Sequence, residues 1–353
     1  MTGSGKTGLS TVPVEEALRA RIPVLAIDVK GDLPNLLLTL PTRDPAPYLP
    51  WVDVKRAARG GMTPAEVADA LATVRVTDLH EWRLSDDDVT AHADSIAVRV
   101  LTPGSAAGEM LHVLSALERP SALWETDPEA ASESLSASIS LVLRLVGRDA
   151  DPARSRDHVV LSRLAEARLR KGRSADLASL LHDLADPPIA MMGAMTLDEY
   201  QPERERRGLA TALNTLLASP TFESWRTGVP LDVGAWLTPT EGRTPAVVVS
   251  VAHLDDEERA LIVRLLLEEL LAWVRTLPGS SDLRALVLFD EVYGFLPPHP
   301  ANPPAKRPLM TLMKQARAFG VGMLIATQNP MVHGRRSRNI KRGGYFGRFP
   351  AGF

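Results

Sequence analysis

Cysteine is absent from the 353 residues of the sequence, which excludes a disulfide framework, a thiolate nucleophile and a cysteine-ligated zinc site. A long apolar run is also lacking, because the longest candidate, residues 260–274, is interrupted by Arg264, Glu268 and Glu269. Such a run is too short and too charged to span a bilayer, and no segment has the pattern of a signal peptide. These absences predict a cytoplasmic protein without membrane insertion.

An excess of basic residues is lacking as well. The formal net charge is −3, so any contact with nucleic acid has to come from a local patch or from a ring of copies. The apolar content of 45% and the charged content of 24% are those of an ordinary globular protein that buries a core. The chain has no internal repeats, and its length corresponds to about two domains of roughly 150 residues each.

The first residues match most of the phosphate-binding pattern G-x-x-x-x-G-K-[ST], whose first glycine would fall just before Met1. Inward-facing backbone N–H groups and a helix N-terminus cradle phosphates, Lys6 adds a positive charge, and Thr7 places its hydroxyl on Mg²⁺. The alternative is a disordered, Gly/Ser-rich N-terminus. The predicted nucleotide-binding residues are Thr2, Gly3, Ser4, Gly5, Lys6, Thr7 and Gly8.

Apolar strands alternate with helices at both ends of the chain, which predicts an α/β fold with a parallel sheet. We expect a bend or an early break at Pro13 in the first helix. Asp255 is expected to begin a long helix. The predicted helices cover residues 9–20, 255–275 and 308–319, and the predicted strands cover residues 22–28, 246–251, 286–291 and 321–328.

The middle of the chain has a different character. Short β-like pieces near Trp82 and at residues 96–101 are followed by segments with helical spacing. We therefore predict a discontinuous core, residues 1–45 and 246–330, with a large and mainly helical insertion at residues 46–245. The helical segments are expected at residues 110–117, 130–146, 158–171, 175–184 and 204–218.

A second nucleotide motif follows the strand that ends at Phe289. Asp290 comes at the carboxyl edge of that strand, where it can hold the hydration shell of Mg²⁺, and Glu291 can polarise a water at the γ-phosphate. The next strand ends at Gln328, which can sense the same phosphate. Taken alone, the two acids are also typical of a solvated turn. Because ligands of open α/β sheets lie beyond the carboxyl ends of strands, Lys6, Asp290 and Gln328 are expected to converge.

Several stretches resemble the HerA-like ATPases of the HerA/FtsK superfamily, which are related to the ATPases of conjugation and type IV secretion. The resemblance is close at both ends of the predicted core and weak across the middle. The stretches are residues 2–9 (TGSGKTGL), 26–33 (AIDVKGDL), 288–298 (LFDEVYGFLPP), 314–322 (KQARAFGVG) and 326–330 (ATQNP).

This resemblance implies a RecA-like P-loop sheet in a homo-hexameric ring, with ATP and Mg²⁺ bound between subunits and double-stranded DNA in the pore. It also implies that Arg317, which lies before Gln328 at the family's spacing, reaches into the neighbouring subunit's site; the alternative is a solvated helix residue. The implied catalytic residues are Lys6, Glu291, Gln328 and Arg317, with Thr7 and Asp290 at the metal.

Two charged stretches remain open to interpretation. The Lys30-Gly31-Asp32 segment lies near the nucleotide or the pore, or it forms a tight turn with a solvated charge pair, and the turn is favoured. The loop at residues 297–308 places Lys306 and Arg307 either in a basic collar that follows DNA phosphates or on an ordinary surface connector.

Both ends depart from the family pattern. The Gly-rich tail at residues 331–353 is basic, and we interpret it as a disordered, truncated or out-of-frame terminus; the alternative is a basic arm for nucleic acid. At the front, the missing glycine suggests a start assigned at an internal methionine.

Three functions follow from these observations. The first is an ATP-hydrolysing motor, a DNA translocase or helicase-like enzyme, with a nuclease as a possible partner. The second is a coupling ATPase for secretion or conjugation, with a protein partner. The third is a catalytically inactive nucleotide-binding fragment.

Overall fold

The computed structural model of the protein describes residues 6–36, 44–118, 123–297, 303–327 and 346–347. Residues 1–5 of the predicted phosphate loop, Gln328 and nearly all of the predicted basic tail lie outside these ranges. The strands are β1 (Val24–Asp28), β2 (Ile96–Pro103), β3 (Glu109–His112), β4 (Met191–Met192), β5 (Met195–Thr196), β6 (Val229–Pro230), β7 (Thr244–Ser250), β8 (Ser280–Phe289), β9 (Phe319–Ile325) and β10 (Phe346–Gly347).

Helices surround these strands. The α-helices are α1 (Lys6–Arg19), α2 (Leu33–Leu36), α3 (Val54–Arg59), α4 (Pro64–Glu81), α5 (Asp86–Ser95), α6 (Ser115–Glu118), α7 (Leu123–Thr126), α8 (Pro128–Leu145), α9 (Arg156–Leu169), α10 (Leu177–Ala185), α11 (Leu197–Tyr200), α12 (Glu203–Ala218), α13 (Glu223–Arg226), α14 (Val233–Trp236), α15 (Asp256–Thr276) and α16 (Lys306–Gln315). The 3₁₀ turns are Ala46–Trp51, Pro220–Phe222, Val292–Phe295 and Ala316–Ala318.

One sheet organises the molecule, with the strand order β10-β9-β8-β1-β7-β2-β3-β6. Every neighbouring pair from β9 to β6 is parallel, and β10 alone runs antiparallel to its neighbour. Strands β4 and β5 form a separate antiparallel pair. This parallel sheet matches the predicted α/β fold with helical insertions.

The central strands are buried on both faces because helices cover both sides of the sheet. Along β1, Leu25 and Ile27 point into one apolar core, and Val24 and Ala26 point into the other. Helix α1 packs on the second core through Leu18, while α8, α15 and α16 contribute to the first. The continuously apolar sequence of β1 is therefore the signature of a strand in the middle of the sheet.

Two predictions concern helices α1 and α15: the start of α15 at Asp255 and the effect of Pro13 on α1. The side chain of Asp255 accepts hydrogen bonds from the backbone N–H groups of Glu257 and Glu258 at 2.9 and 2.8 Å, which confirms the predicted start of α15. Helix α1 runs through Pro13 as one helix, so of the two expectations, a bend or an early break, the break is not observed.

The middle region is mainly helical, as predicted, and contains α3 to α14. However, β2, β3 and β6 from this region extend the main sheet beyond β7, so the region shares the sheet with the core. The domain bounds 1–45, 246–330 and 46–245 themselves stay a prediction.

Two local predictions in this region are wrong. The segment before Trp82 belongs to helix α4, which begins with a capping box at Thr63 and Glu66, and Trp82 is the exposed residue that ends it. The predicted helix at residues 110–117 begins instead as strand β3, because pairing with β2 and β6 overrides its helical spacing.

Candidate functional site

Four neighbouring strands end in polar residues at one edge of the sheet. Ser250 ends β7, Asp28 ends β1, Asp290 follows β8 and Thr327 lies just beyond β9. The register aligns Asp28 with Ser250, the N–H of Asp290 donates to the carbonyl of Ile27 at 3.1 Å, and the strand ends stay hydrogen-bonded. Parallel strands thus deliver these side chains to the carboxyl edge, where open α/β sheets bind ligands.

Asp28 is the buried anchor of this edge, with 0% of its surface exposed. Its Oδ2 accepts a hydrogen bond from the hydroxyl of Ser250 at 3.0 Å. Its Oδ1 accepts from the backbone N–H groups of Gly31 at 2.8 Å and Lys30 at 3.3 Å. These bonds close a tight turn after β1, in which Gly31 adopts a φ of +85° that suits glycine.

Asp290 is also buried, at 6% exposed, but it lacks this compensation. Its Oδ2 is buried and has no hydrogen-bond partner among the described residues. Burial raises the pKa of the Asp290 carboxyl; Lys30 opposes this rise, while Glu291, Asp28 and Asp32 add to it. A buried carboxylate oxygen without a donor is expensive, and such groups cluster at functional sites.

Glu291 has an unusual backbone and a well-defined side chain. Its φ of 56° and ψ of 62° are left-handed, a strained conformation for a residue other than glycine. This conformation turns the chain out of β8, so that the N–H of Val292 donates to the carbonyl of Ala326 at 3.1 Å. Lys30 Nζ donates to Glu291 Oε2 at 2.9 Å, and the Thr327 hydroxyl donates to Oε1 at 3.5 Å.

The edge fits a hard divalent cation through Asp290. Among the described residues, no cluster of three or more His, Asp or Glu side chains is arranged to hold a metal ion. Mg²⁺ usually takes one or two protein carboxylates and completes its shell with waters and phosphate oxygens. The Oδ2 of Asp290, which accepts no hydrogen bond from any described residue, is therefore compatible with the predicted metal role, and a cage of protein ligands is not required.

The predicted phosphate loop is described only from Lys6, which begins α1. Lys6, Thr7 and Gly8 form the first turn of that helix, and their side chains lie outside the described part of the chain, as do residues 1–5. The convergence of Lys6 with Asp290 stays a prediction. So does the role of Gln328, although its neighbour Thr327 contacts Glu291.

Arg317 lies at the opposite edge of the sheet from the acidic residues. It is exposed in the 3₁₀ turn Ala316–Ala318, just before β9 begins. Strand β9 then runs the full depth of the sheet, about 20 Å for seven residues at about 3.3 Å each. Arg317 therefore does not approach Glu291 of its own chain, and its predicted role requires a neighbouring copy.

Lys306 and Arg307 begin helix α16 and make contacts within the chain. Lys306 Nζ donates to the carbonyl of Pro297 at 2.9 Å. Arg307 forms ion pairs with Glu133 at 2.7 Å and Glu129 at 3.6 Å. Their predicted role as a DNA-contacting collar is left as a prediction.

Sequence reasoning gave no role to Asp28 or Thr327, which the structure brings to this edge, and it placed Lys30 near the nucleotide or the pore only as the less favoured interpretation. The favoured interpretation of Lys30 as a solvated charge pair in a tight turn is half right, since the turn exists but the lysine pairs with Glu291. One signal was available, because Asp28 follows an apolar strand in the same way as Asp290.

Comparisons with known proteins add little to this site. No protein-family model and no curated protein sequence matches the chain. It is similar to the structure of VirB4 of Thermoanaerobacter pseudethanolicus, with a TM-score of 0.46 and 12% identity, over 93% of this chain and 68% of that one. It is also similar to the bacterial conjugative coupling protein TrwBdeltaN70, with a TM-score of 0.33 and 13% identity, over 88% and 63% of the two chains. At these values neither similarity carries an argument about function.

None of the helices in the described part of the chain combines the length and the apolar character that crossing a bilayer requires.

Proposed function

We propose that the protein is an ATP-hydrolysing motor of the HerA-like type, a cytoplasmic DNA translocase or helicase-like enzyme that works as a homo-hexamer on double-stranded DNA. The observation that carries the proposal is the pair Asp290 and Glu291 at the carboxyl end of β8. Asp290 keeps a buried oxygen that has no hydrogen-bond partner among the residues the structure describes, and Glu291 is held in a left-handed backbone conformation beside it. Neither feature is expected of a solvated acidic turn.

The residues divide the work of phosphoryl transfer. Residues 2–8 would hold the phosphates through backbone N–H groups, with Lys6 adding a positive charge. Thr7 and Asp290 would hold Mg²⁺, which neutralises charge on the phosphate oxygens when bound. Glu291 would orient and polarise the attacking water, and Gln328 would sense the γ-phosphate.

Arg317 completes the proposed site only from a neighbouring subunit. An arginine supplied in trans can neutralise the charge that develops during phosphoryl transfer. Its exposed place at the far edge of the sheet supports a role between copies, and this requirement links hydrolysis to assembly of the ring.

The test is ATP hydrolysis measured with and without double-stranded DNA. We expect DNA to stimulate turnover, and we expect both Lys6→Ala and Glu291→Gln to abolish it. Matched controls are Lys55→Ala and Glu81→Gln, which change exposed residues on α3 and α4 and should leave turnover unchanged.

The possible outcomes separate the competing functions. Hydrolysis that responds to a partner protein and not to DNA would move the proposal to a secretion or conjugation coupling ATPase. Absence of ATP binding in a calorimetric titration would contradict both motor functions. A preference for GTP over ATP in the same assay would correct the nucleotide.

A further inference from the structure

The turn after β1 brings a lysine to the proposed water-activating glutamate. Lys30 Nζ lies 2.9 Å from Oε2 of Glu291, although the two residues are 261 positions apart in sequence. The Lys30 side chain is 33% exposed and the Glu291 side chain only 19%. This pair is therefore less hydrated than an ordinary surface salt bridge, whose contribution is usually small.

The backbone of Lys30 is fixed by the sheet. Asp28 Oδ1 accepts hydrogen bonds from the N–H groups of Lys30 and Gly31, and the N–H of Val251 donates to the carbonyl of Asp28 at 2.9 Å. A Cβ added at Gly31 would lie 3.4 Å from the Cβ of Ala252 and would require a strained φ. The turn thus holds the lysine at a set distance from the end of β8.

The charges at this edge give the lysine a specific task. Glu291 follows Asp290 directly, and Asp28 and Asp32 add further negative charge around Asp290, with Lys30 as the opposing cation. Like charges gathered at one edge of the sheet repel one another. Without Lys30, we expect the Glu291 carboxylate to turn away from its acidic neighbours and away from the edge.

The same geometry argues against a purely blocking role. Lys30 and Thr327 donate to different oxygens of the Glu291 carboxylate, so together they define its plane. An ionised carboxylate offers about four acceptor positions. Two such contacts set the direction of the group and are compatible with its accepting a hydrogen bond from a water.

We propose that Lys30 is a positioning residue that holds the Glu291 carboxylate in the orientation needed for water activation. This inference rests on the proposed function, since it assigns a support to the glutamate of that site. The lysine acts through Glu291 and not on the nucleotide itself. Asp28 and Gly31 form the rigid base from which it acts.

The experiment compares Lys30→Met, Lys30→Arg and the control Lys55→Met, each with Glu291 intact and with Glu291→Gln. For Lys30→Met we expect kcat to fall about 10- to 100-fold, the range seen when a supporting partner is lost, with KM and nucleotide Kd within about twofold of wild type. Lys30→Arg should recover part of kcat, because it restores a cation on a similar stem. In the Glu291→Gln background, where turnover is expected to be absent, the readout is nucleotide Kd, and Lys30→Met should leave it within about twofold of Glu291→Gln alone.

Three results would overturn the inference. Turnover of Lys30→Met equal to that of Lys55→Met would make the pair incidental. A rise in nucleotide Kd of the same size in both backgrounds would assign Lys30 to phosphate binding. An increase in kcat would make the lysine a restraint on Glu291. Thermal unfolding of each variant separates these effects from a loss of folding.

Failure of the proposed function would look different. Full turnover in Glu291→Gln alone, or no hydrolysis by the wild-type protein, would remove the proposed function and this inference with it. A dead Glu291→Gln together with a fully active Lys30→Met would leave the proposed function intact and refute the positioning role.

Discussion

Asp290 and Glu268 are two of the buried acidic residues in the described part of the chain, and they differ in how the charge is compensated. At the sheet edge, Asp290 is 6% exposed and its Oδ2 has no hydrogen-bond partner in the described part of the chain. Between the helices, Glu268 of α15 is equally buried at 6%, but it faces Arg264 on its own helix. A second arginine, Arg307 of α16, pairs with the neighbouring Glu133 of α8 at 2.7 Å.

Both places perturb the pKa of a carboxyl in the same direction. Burial raises the pKa of Asp290, and burial together with the nearby Glu133 raises the pKa of Glu268 to about 7, against the opposing effect of Arg264. A perturbed pKa alone therefore does not locate function. The difference lies in position and in partners: Asp290 stands at the carboxyl ends of parallel strands, whereas Glu268 lies among charged side chains of α8, α15 and α16, namely Glu133, Arg264 and Arg307.

The largest effect is expected from Asp290→Asn at the sheet edge. It removes the charge proposed to hold Mg²⁺, which contributes several kcal/mol to phosphoryl transfer, so single-turnover hydrolysis should fall by at least about 100-fold.

Stability should not fall in this variant. Because the folded pKa of Asp290 is raised above the ordinary value of 3.8, the native state binds the proton more tightly, and the resulting stability is lost as pH rises through the raised pKa. At pH 7 the asparagine avoids the cost of the buried charge. A drop in the thermal midpoint large enough to account for the loss of activity would show that Asp290 is structural. The distinction drawn between Asp290 and Glu268 would then fail.

The second largest effect is expected from Glu268→Gln in the helical cluster, by which we mean Glu133, Arg264, Glu268 and Arg307 on α8, α15 and α16. The folded pKa of about 7 lies above the ordinary glutamate value of 4.5, so the stability linked to the proton is fully present below pH 4.5 and is lost as pH rises through 7. We expect the glutamine variant to gain up to about 3 kcal/mol over the wild type at pH 8 and nothing at pH 4. Denaturant unfolding across this range measures the difference.

Hydrolysis per folded molecule should be unchanged in Glu268→Gln. Glu81→Gln, at an exposed site on α4, is the matched control for unfolding. If Glu268→Gln instead reduced turnover without changing the pH profile of stability, the helical cluster would belong to the function and not to the packing.

The sequence was most informative where local pattern and burial agree. The apolar runs of β1, β7, β8 and β9 predict a parallel sheet because strands buried on both faces have no polar alternation. Asp255 predicts the start of α15, because an aspartate can accept hydrogen bonds from the free N–H groups of a helix's first turn. The stretch at residues 110–117 misleads because its partners β2 and β6 are distant in sequence, and such pairing is invisible to local periodicity.

The candidate site divides along the same line. Asp290 and Glu291 are predictable because they directly follow a strand whose direction is known. The pairing of Lys30 with Glu291 is not, since it depends on the strand order that sets β1 beside β8 and on a turn closed by Asp28. Sequence spacing says nothing about which residues 261 positions apart will meet.

The smallest effect is expected from Arg307→Ala. This variant tests whether the helical cluster also contacts DNA. The Arg307 side chain is 71% exposed and its partner Glu133 is 22% exposed, so loss of the pair should cost less than about 1 kcal/mol of stability. Hydrolysis without DNA should not change.

The salt dependence of the affinity for DNA, read from the DNA concentration that gives half-maximal stimulation, is the decisive measurement for Arg307. A cation that contacts phosphates contributes about one unit to the slope of log affinity against log salt. Because the guanidinium is paired with Glu133 in the structure, we expect Arg307→Ala to keep the wild-type slope, with Arg59→Ala as an exposed control on α3. A slope reduced by about one in Arg307→Ala alone would assign the residue to a basic collar. Helix α16 would then belong to the DNA-binding surface as well as to the packing of the helices.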